Sequence, residues 1–231
     1  MRDIIKSKDY FIEYIGRQEK RVERFETKLF NNEVSEDRVL TVKRKICSLK
    51  IQIVIAKYSC GTNISEIQNN YIQLIQELPN VWNVDLYVET LWMLCIGIML
   101  EVRGETLAII KDLIVESQTN DWLFNFLLDK GKSSPYKIEG TIKFEEPYGE
   151  LQKALIVNNN FIDRFKIYLG EKWYWGHNDS SWYDLHKSKE NLYYGYWSFE
   201  TGAIVKILGL DDSDLKDVPY YPYDMVHYKE N

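Results

Sequence analysis

The sequence predicts an all-α protein, a helical bundle of about eight to ten helices with an irregular, aromatic-rich C-terminal tail. Three observations support this fold class. Apolar residues recur every three or four positions almost wherever a pattern is clear. The sequence contains no two segments with alternating apolar and polar residues that could pair as β-strands. The chain has 231 residues, of which 45% are hydrophobic, so it is long enough to bury a core without cross-links.

The first helix is predicted over roughly residues 3–30. Its apolar residues share one face, interrupted by Gln18, and they are Phe11, Ile15, Val22, Phe25 and Leu29. Its other faces mix basic with acidic side chains, which is typical of a solvated helix surface.

Two further amphipathic helices follow. Ser35, followed by two acidic residues, predicts the start of the second, whose apolar stripe is Val39, Val42, Ile46, Leu49, Ile53 and Ala56. Asn63, with Glu66 three residues later, predicts the start of the third, and Pro79 its end. The third stripe is Ile64, Ile67, Tyr71, Leu74 and Leu78.

Helices are also predicted over residues 84–102 and 105–117, separated at Gly104. The first of these is apolar nearly all round, so we expect it at the centre of the bundle. Its apolar run is about half the length that crosses a bilayer, so we expect no membrane partner. Asp121–Lys130 is predicted as a helix that Gly131 ends, 132–149 as a loop, and 150–157 and 161–175 as helices.

The last sixty residues are unusually rich in tryptophan and tyrosine. A helix is predicted over 191–208, with Gly209 at its end, and Pro219 and Pro222 exclude regular helix from residues 220–223. This change of composition predicts two regions, 1–118 and 119–231, which we expect to pack as one compact unit.

Charge is distributed unevenly along the chain. Residues 1–60 hold 14 basic and 9 acidic side chains, whereas the remaining residues carry a net charge of −11. A mainly acidic surface repels nucleic acid and attracts basic partners.

The sequence lacks the motifs of an enzyme or a metal protein. No two of its three histidines are three or four residues apart, and neither a P-loop nor GxGxxG occurs. We therefore expect no catalytic residue, no metal and no cofactor. Cys47, Cys60 and Cys95 form no CxxC pair and the N-terminus has no apolar signal segment, which favours a cytoplasmic location.

The C-terminal third contains a long and specific motif. The runs His186–Glu200, Ala203–Asp212 and Asp217–Asp224 together resemble the C-terminal signature of the PoNi immunity proteins. The signature positions that we interpret as mainly structural are Tyr193, Tyr194, Gly195, Tyr196, Trp197, Phe199, Glu200, Gly209, Pro219, Tyr220, Tyr221, Pro222, Tyr223 and Asp224.

This resemblance implies a cytosolic antitoxin. Members of the family protect bacteria from DNase effector toxins of the PD-(D/E)xK group, which competing siblings deliver through a contact-dependent secretion system. The implied partner is a cognate DNase with a basic DNA-binding surface. The acidic residues that we expect to contact it are Asp179, Asp184, Asp211, Asp212, Asp214 and Asp217.

Two other functions stay open at this point. His186, with Asp184 or Glu190, could serve a helical hydrolase, in which case the structure would gather these groups in a deep pocket. Alternatively, the basic residues of the first helix could bind nucleic acid, and salt-dependent DNA binding would then follow.

Overall fold

The computed structural model describes residues 1–81, 86–117, 119–130, 132–156 and 160–229, with Tyr136 described by its backbone alone. Within these ranges it contains ten α-helices and no β-strand, which confirms the predicted fold class. The segment 132–149, predicted as a loop, contributes one isolated bridge, between Asp121 and Thr141. The chain divides into two compact units, one of Met1–Asp85 with Asp184–Gly195, the other of Leu86–Tyr183 with Tyr196–Asn231.

Unit 1 is built on three helices: α1 (Lys8–Phe30), α2 (Glu36–Cys60) and α3 (Ile64–Glu77). Helix α1 begins later than predicted because Ser7 caps it, its hydroxyl accepting from the Tyr10 amide at 3.2 Å. Asn63 caps α3 as predicted, its side chain accepting from the Ser65 amide at 2.9 Å. Ser35 stands at the N-cap position of α2, but its side chain makes no capping hydrogen bond.

The predicted apolar stripes form the core of unit 1. Val22 of α1 packs with Ile46, Leu49 and Ile53 of α2, and the partly buried residues against this cluster are Ile15, Phe25, Leu29 and Val42. Gln18, in the middle of the first stripe, is buried as well. All five residues of the third stripe are buried.

Unit 2 holds the other seven helices. They are α4 (Tyr87–Met99), α5 (Gly104–Glu116), α6 (Trp122–Asp129), α7 (Glu150–Ile156), α8 (Phe161–Ile167), α9 (Phe199–Leu208) and α10 (Tyr223–Val226). Helix α4 is buried on nearly every side and packs against α5, α6, α9 and α10, so its predicted central place is confirmed within this unit. None of the helices in the described ranges is both long and apolar enough to cross a membrane.

The helix predicted over 191–208 is wrong in its first half, because α9 begins only at Phe199. The backbone before it bonds elsewhere: the Tyr193 amide donates to the Tyr10 hydroxyl at 2.9 Å, and the Ser198 amide to the Tyr220 carbonyl at 2.8 Å. Gly195 has φ +119°, a conformation that excludes an α-helix at that residue.

Three other element boundaries differ from the predictions. Helix α6 ends at Asp129, and its C-cap Lys130 takes the left-handed conformation, while Gly131 lies outside the described residues. The helix predicted over 161–175 is α-helical only to Ile167 and continues as a π-helical turn, Tyr168–Trp173. Gly104 is the first residue of α5 rather than a break before it. Residues 84, 85 and 157, at the ends of two predicted helices, are outside the described ranges.

Candidate protein-interaction surface

The first turn of α9 places a carboxylate in the interior of unit 2. Glu200 has no exposed surface, and its Oε1 accepts from Trp173 Nε1 at 2.6 Å, Ser198 Oγ at 2.7 Å and Tyr168 OH at 3.3 Å. Burial raises the pKa of Glu200 to about 6, although these hydrogen bonds act in the opposite direction. The three donors belong to the protein itself, so this carboxylate joins α9 to the π-helical turn.

His177 is another buried titratable group of unit 2. Its Nδ1 donates to the Trp173 carbonyl at 2.6 Å, which leaves Nε2 to accept from the Tyr148 hydroxyl at 3.2 Å. Burial lowers the pKa of His177 to about 4. The imidazole is therefore neutral, and both of its nitrogens are used inside the protein.

The central part of the tyrosine-rich motif is buried. Every residue from Tyr193 to Val205 has little or no exposed surface. In unit 1 the Tyr193 hydroxyl donates to Asp3 Oδ2 at 2.5 Å, and the Tyr194 carbonyl accepts from Ser59 Oγ at 3.0 Å. In unit 2 the Tyr196 hydroxyl donates to the Trp182 carbonyl at 3.3 Å. These residues contribute packing and internal hydrogen bonds.

The end of the motif is less uniformly buried. Tyr221 and Pro222 are buried and Tyr220 and Tyr223 are half-buried, whereas Gly209, Pro219 and Asp224 are exposed. Gly209 takes the left-handed conformation that ends α9, as the sequence predicts.

The six predicted contact aspartates occupy different environments. Asp184 belongs to unit 1 and pairs with Lys187 at 2.9 Å, while the other five belong to unit 2. Asp212 is 3% exposed and accepts from the Tyr221 hydroxyl at 2.6 Å and from His227 Nε2 at 2.8 Å, so it faces the interior.

The remaining four aspartates are exposed. Asp211 accepts from the Ser213 amide at 3.1 Å, and hydrogen bonds from Ser213 lower the pKa of its carboxyl. Asp214 pairs with Lys166 at 2.9 Å. In the part of the chain that the structure describes, Asp179 and Asp217 form no ion pair.

The groups of the hydrolase alternative lie in and beside a 3₁₀ turn, Leu185–Lys187, in unit 1. His186 is half-buried with its ring edge-on to Tyr193, at 6.2 Å between centroids, and burial lowers its pKa. Asp184 is engaged by Lys187, and Glu190 is exposed.

Two of the basic residues of α1 contact neighbouring side chains. Arg21 donates to Gln18 Oε1 at 2.8 Å, and the Arg24 guanidinium lies 5.7 Å from the centre of the Phe25 ring. A groove of about 240 Å³ runs along this helix, and its charged lining residues are Glu19, Glu23, Glu26, Lys50, Lys57 and Glu77. Four of these six are acidic, which is a poor lining for a nucleic-acid phosphate.

A prominent exposed group of unit 2 is aromatic, and the sequence did not single it out. Trp175 is 61% exposed. Its ring packs edge-on to Tyr174 at 5.7 Å and tilts toward Tyr183 at 6.4 Å, so two further rings support it. Glu171 and Asp179, four residues before and four residues after Trp175 in the chain, are both exposed.

We call this group the Trp175 surface: Glu146, Glu171, Trp175, Asp179 and Tyr183. Glu146 belongs to it because Pro147, the next residue, lies against Gly176, where a Cβ would approach the proline ring to 2.7 Å. The sequence shows a tryptophan with acidic residues on both sides, but it does not show that this tryptophan is exposed.

The fold and these groups define an all-α protein with exposed carboxylates and exposed aromatic rings on unit 2. Family comparison gives its identity. The model for the N-terminal region of PoNe immunity proteins (PoNi) matches residues 2–111, and the model for their C-terminal region matches residues 119–225. The chain therefore belongs to the PoNi family, whose members are immunity proteins against PoNe nuclease toxins. Comparisons with curated proteins and with solved structures gave no match.

Proposed function

We propose that the protein neutralises its cognate PoNe nuclease by covering the basic surface with which the toxin binds DNA. It does so by stoichiometric binding in the cytoplasm, without turning over a substrate and without binding nucleic acid itself. The observation that carries this proposal is the charge of unit 2, which has 13 basic and 21 acidic residues, a net of −8. Unit 1 has 16 basic and 14 acidic residues, a net of +2.

The charge of unit 2 suits the partner. A nuclease holds DNA through lysine and arginine contacts to phosphates, so it exposes a positive surface before DNA arrives. An acidic protein is attracted to that surface, docks faster than a neutral one and competes with the phosphates. Nuclease–immunity pairs can reach the limit of non-covalent affinity, and we expect a Kd of about nanomolar or below.

The contact residues in this proposal are the exposed aspartates of unit 2, namely Asp179, Asp211, Asp214 and Asp217. The roles of Asp184 and Asp212 as contacts stay predictions, and in the structure Asp184 pairs with a lysine and Asp212 faces the interior. The buried part of the tyrosine-rich motif, by contrast, holds α9 in place. On this view the motif sets the fold and the exposed acids set the partner.

The first test is co-expression with the cognate PoNe toxin. We expect host cells to survive with the immunity protein and to die without it. Continued death in the presence of the folded protein would refute neutralisation.

The second test addresses the occlusion itself. A catalytically inactivated toxin is bound to fluorescent duplex DNA, and the immunity protein is titrated in at fixed salt. We expect DNA to be released in proportion to the complex formed. An active toxin that is inhibited while its inactive form stays on the DNA would show that inhibition occurs away from the DNA-binding surface.

A further inference from the structure

A continuous stack of aromatic rings connects the core of unit 2 to its surface. Trp182 stacks on Trp173 at 5.6 Å, Trp173 lies 4.8 Å from Tyr220, and Tyr220 stacks on Tyr174 at 5.6 Å with only 10° between their planes. Tyr174 then stacks on Tyr183 at 4.6 Å. Rings held on both sides lose little conformational entropy when a partner binds them.

Trp175 lies at the outer end of this stack. Two rings support its indole from one side, while 61% of its surface faces solvent. Tryptophan is among the residues that contribute most to protein–protein affinity, and a supported, exposed indole is already placed to do so.

The charged residues assigned to the Trp175 surface are all acidic. Glu146, Glu171 and Asp179 are exposed, and within the described ranges none of the three takes part in an ion pair. Lys172 is the basic residue nearest to Trp175 along the chain, and it too is exposed. An aromatic face beside unpaired carboxylates attracts a flat cation, since the ring face and the carboxylates are both negative.

We propose that the Trp175 surface is the docking site of an arginine side chain of the cognate toxin. Its guanidinium stacks on the indole and donates hydrogen bonds to the adjacent carboxylates. The inference rests on the proposed function and adds to it the chemistry of one contact. An arginine that holds a DNA phosphate in the free toxin is a suitable occupant, because the carboxylates can replace the phosphate and the indole can replace a base.

Two features favour arginine over the alternatives. An apolar toxin side chain on Trp175 would take the neighbouring carboxylates out of water without giving them a partner, which is unfavourable. A lysine ammonium is more strongly hydrated than a guanidinium and cannot stack as a plane on the ring.

The test compares three proteins that differ in one side chain. Binding of wild type, Trp175→Phe and Trp175→Leu to catalytically inactivated toxin is measured by calorimetry. Leucine keeps apolar volume but has no ring face, whereas phenylalanine keeps a weaker ring face. We expect Kd to rise about 3-fold for Trp175→Phe and about 10-fold or more for Trp175→Leu. Phe30→Leu, at an 87% exposed aromatic residue of unit 1, is the matched control and should leave Kd unchanged.

A double variant, Glu171→Gln with Asp179→Asn, tests the carboxylates in the same assay. We expect it to weaken wild-type binding about 10-fold and to weaken the Trp175→Leu protein by less, because the ring and the carboxylates share one guanidinium. Thermal unfolding of each variant verifies that it is folded, which the exposure of these side chains leads us to expect.

The outcomes separate this inference from the proposed function. If wild type binds and protects but Trp175→Leu binds equally well, or better than Trp175→Phe, the arginine site is refuted and the proposed function stands. If the two sets of substitutions act independently, the shared guanidinium is refuted. If wild type does not bind the toxin, the proposed function fails and this inference fails with it.

Discussion

Glu200 is buried in the interior of unit 2, and its shifted pKa leads to a prediction of how protein stability depends on pH. Burial raises that pKa from its ordinary 4.5 to about 6, so the folded state holds this proton more tightly than the unfolded state. Stability contributed by the protonated form is complete below pH 4.5 and is lost as pH rises through 6. The shift corresponds to about 2 kcal/mol.

We therefore expect the stability of Glu200→Gln to increase relative to that of the wild type as pH rises. The free energy of unfolding of the variant minus that of the wild type should increase by about 2 kcal/mol between pH 4.5 and pH 7, because glutamine does not ionise. Urea unfolding at four pH values measures this difference, and the subtraction removes the titration of all other groups. A difference that is independent of pH would contradict the shifted pKa.

The lowered pKa of His177 predicts the opposite dependence of stability on pH. Burial lowers its pKa from 6.5 to about 4, so the unfolded state binds this proton more tightly than the folded state. Stability from the neutral imidazole is complete above pH 6.5 and is lost as pH falls toward 4, by about 3 kcal/mol. We expect His177→Gln to unfold with a free energy that falls less steeply between pH 6.5 and pH 4. Equal slopes for variant and wild type would place the histidine in contact with solvent.

Helical stripes in the sequence predicted the burial of many single residues. Val22, Leu49 and Tyr71 lie in the core as their spacing indicates. The burial of Glu200 and His177 could not be predicted, because their partners Trp173, Tyr168 and Tyr148 come from other parts of the chain. A polar residue can be buried when partners from distant parts of the chain form hydrogen bonds with it, and the residue spacing along one helix does not reveal such partners.

At the scale of elements, local patterns predicted most helices but misplaced the start of α9. The spacing of Leu192, Tyr196 and Phe199 is helical, yet the chain just before Phe199 is irregular. Tertiary hydrogen bonds from the Tyr193 and Ser198 amides and the φ of +119° at Gly195 override the local pattern. Gly195 indicated against a helix that extends through this position, because glycine is unfavourable in helix interiors and permits positive φ.

Helix α9 packs so closely against its neighbours that only glycine, which has no Cβ, fits at position 202. A Cβ there would be 2.6 Å from both Met99 Sδ and Pro222 Cγ. We expect Gly202→Ala to destabilise the protein by about 1–3 kcal/mol through overpacking. Gly16→Ala is the matched control: no atom lies within 4 Å of a Cβ in the middle of α1, so this change should stabilise by about 0.5–1 kcal/mol. Thermal unfolding of the two variants compares them, and effects of the same sign would refute the close approach.

At the scale of the whole molecule, the two units differ in net charge, which is +2 for unit 1 and −8 for unit 2. The sequence showed a basic first quarter and an acidic remainder. Because residues 184–195 belong to unit 1, the boundary between the units is crossed more than once along the chain. No compositional change marks those crossings, so this grouping could not be predicted. The predicted division at residue 118, which itself lies outside the described residues, stays a prediction.

The grouping of charge leads to a prediction about the rate of toxin binding. Two variants each remove three negative charges and change the net charge from −6 to −3: Asp179→Asn/Asp214→Asn/Asp217→Asn in unit 2, and Glu13→Gln/Glu23→Gln/Glu33→Gln in unit 1. All six positions are exposed. If unit 2 faces the toxin, the first variant should associate about 10-fold more slowly at low salt and the second less than about 2-fold, since steering depends on charges near the interface.

Stopped-flow association at several ionic strengths measures both variants against the wild type. We expect the three rates to converge as salt rises, because screening removes long-range steering from all of them. Equal slowing of the two variants would mean that net charge alone governs the encounter, and a larger effect of the unit 1 variant would place the interface there. Because each variant has the same net charge, the difference between their rates reports only where on the protein the toxin arrives.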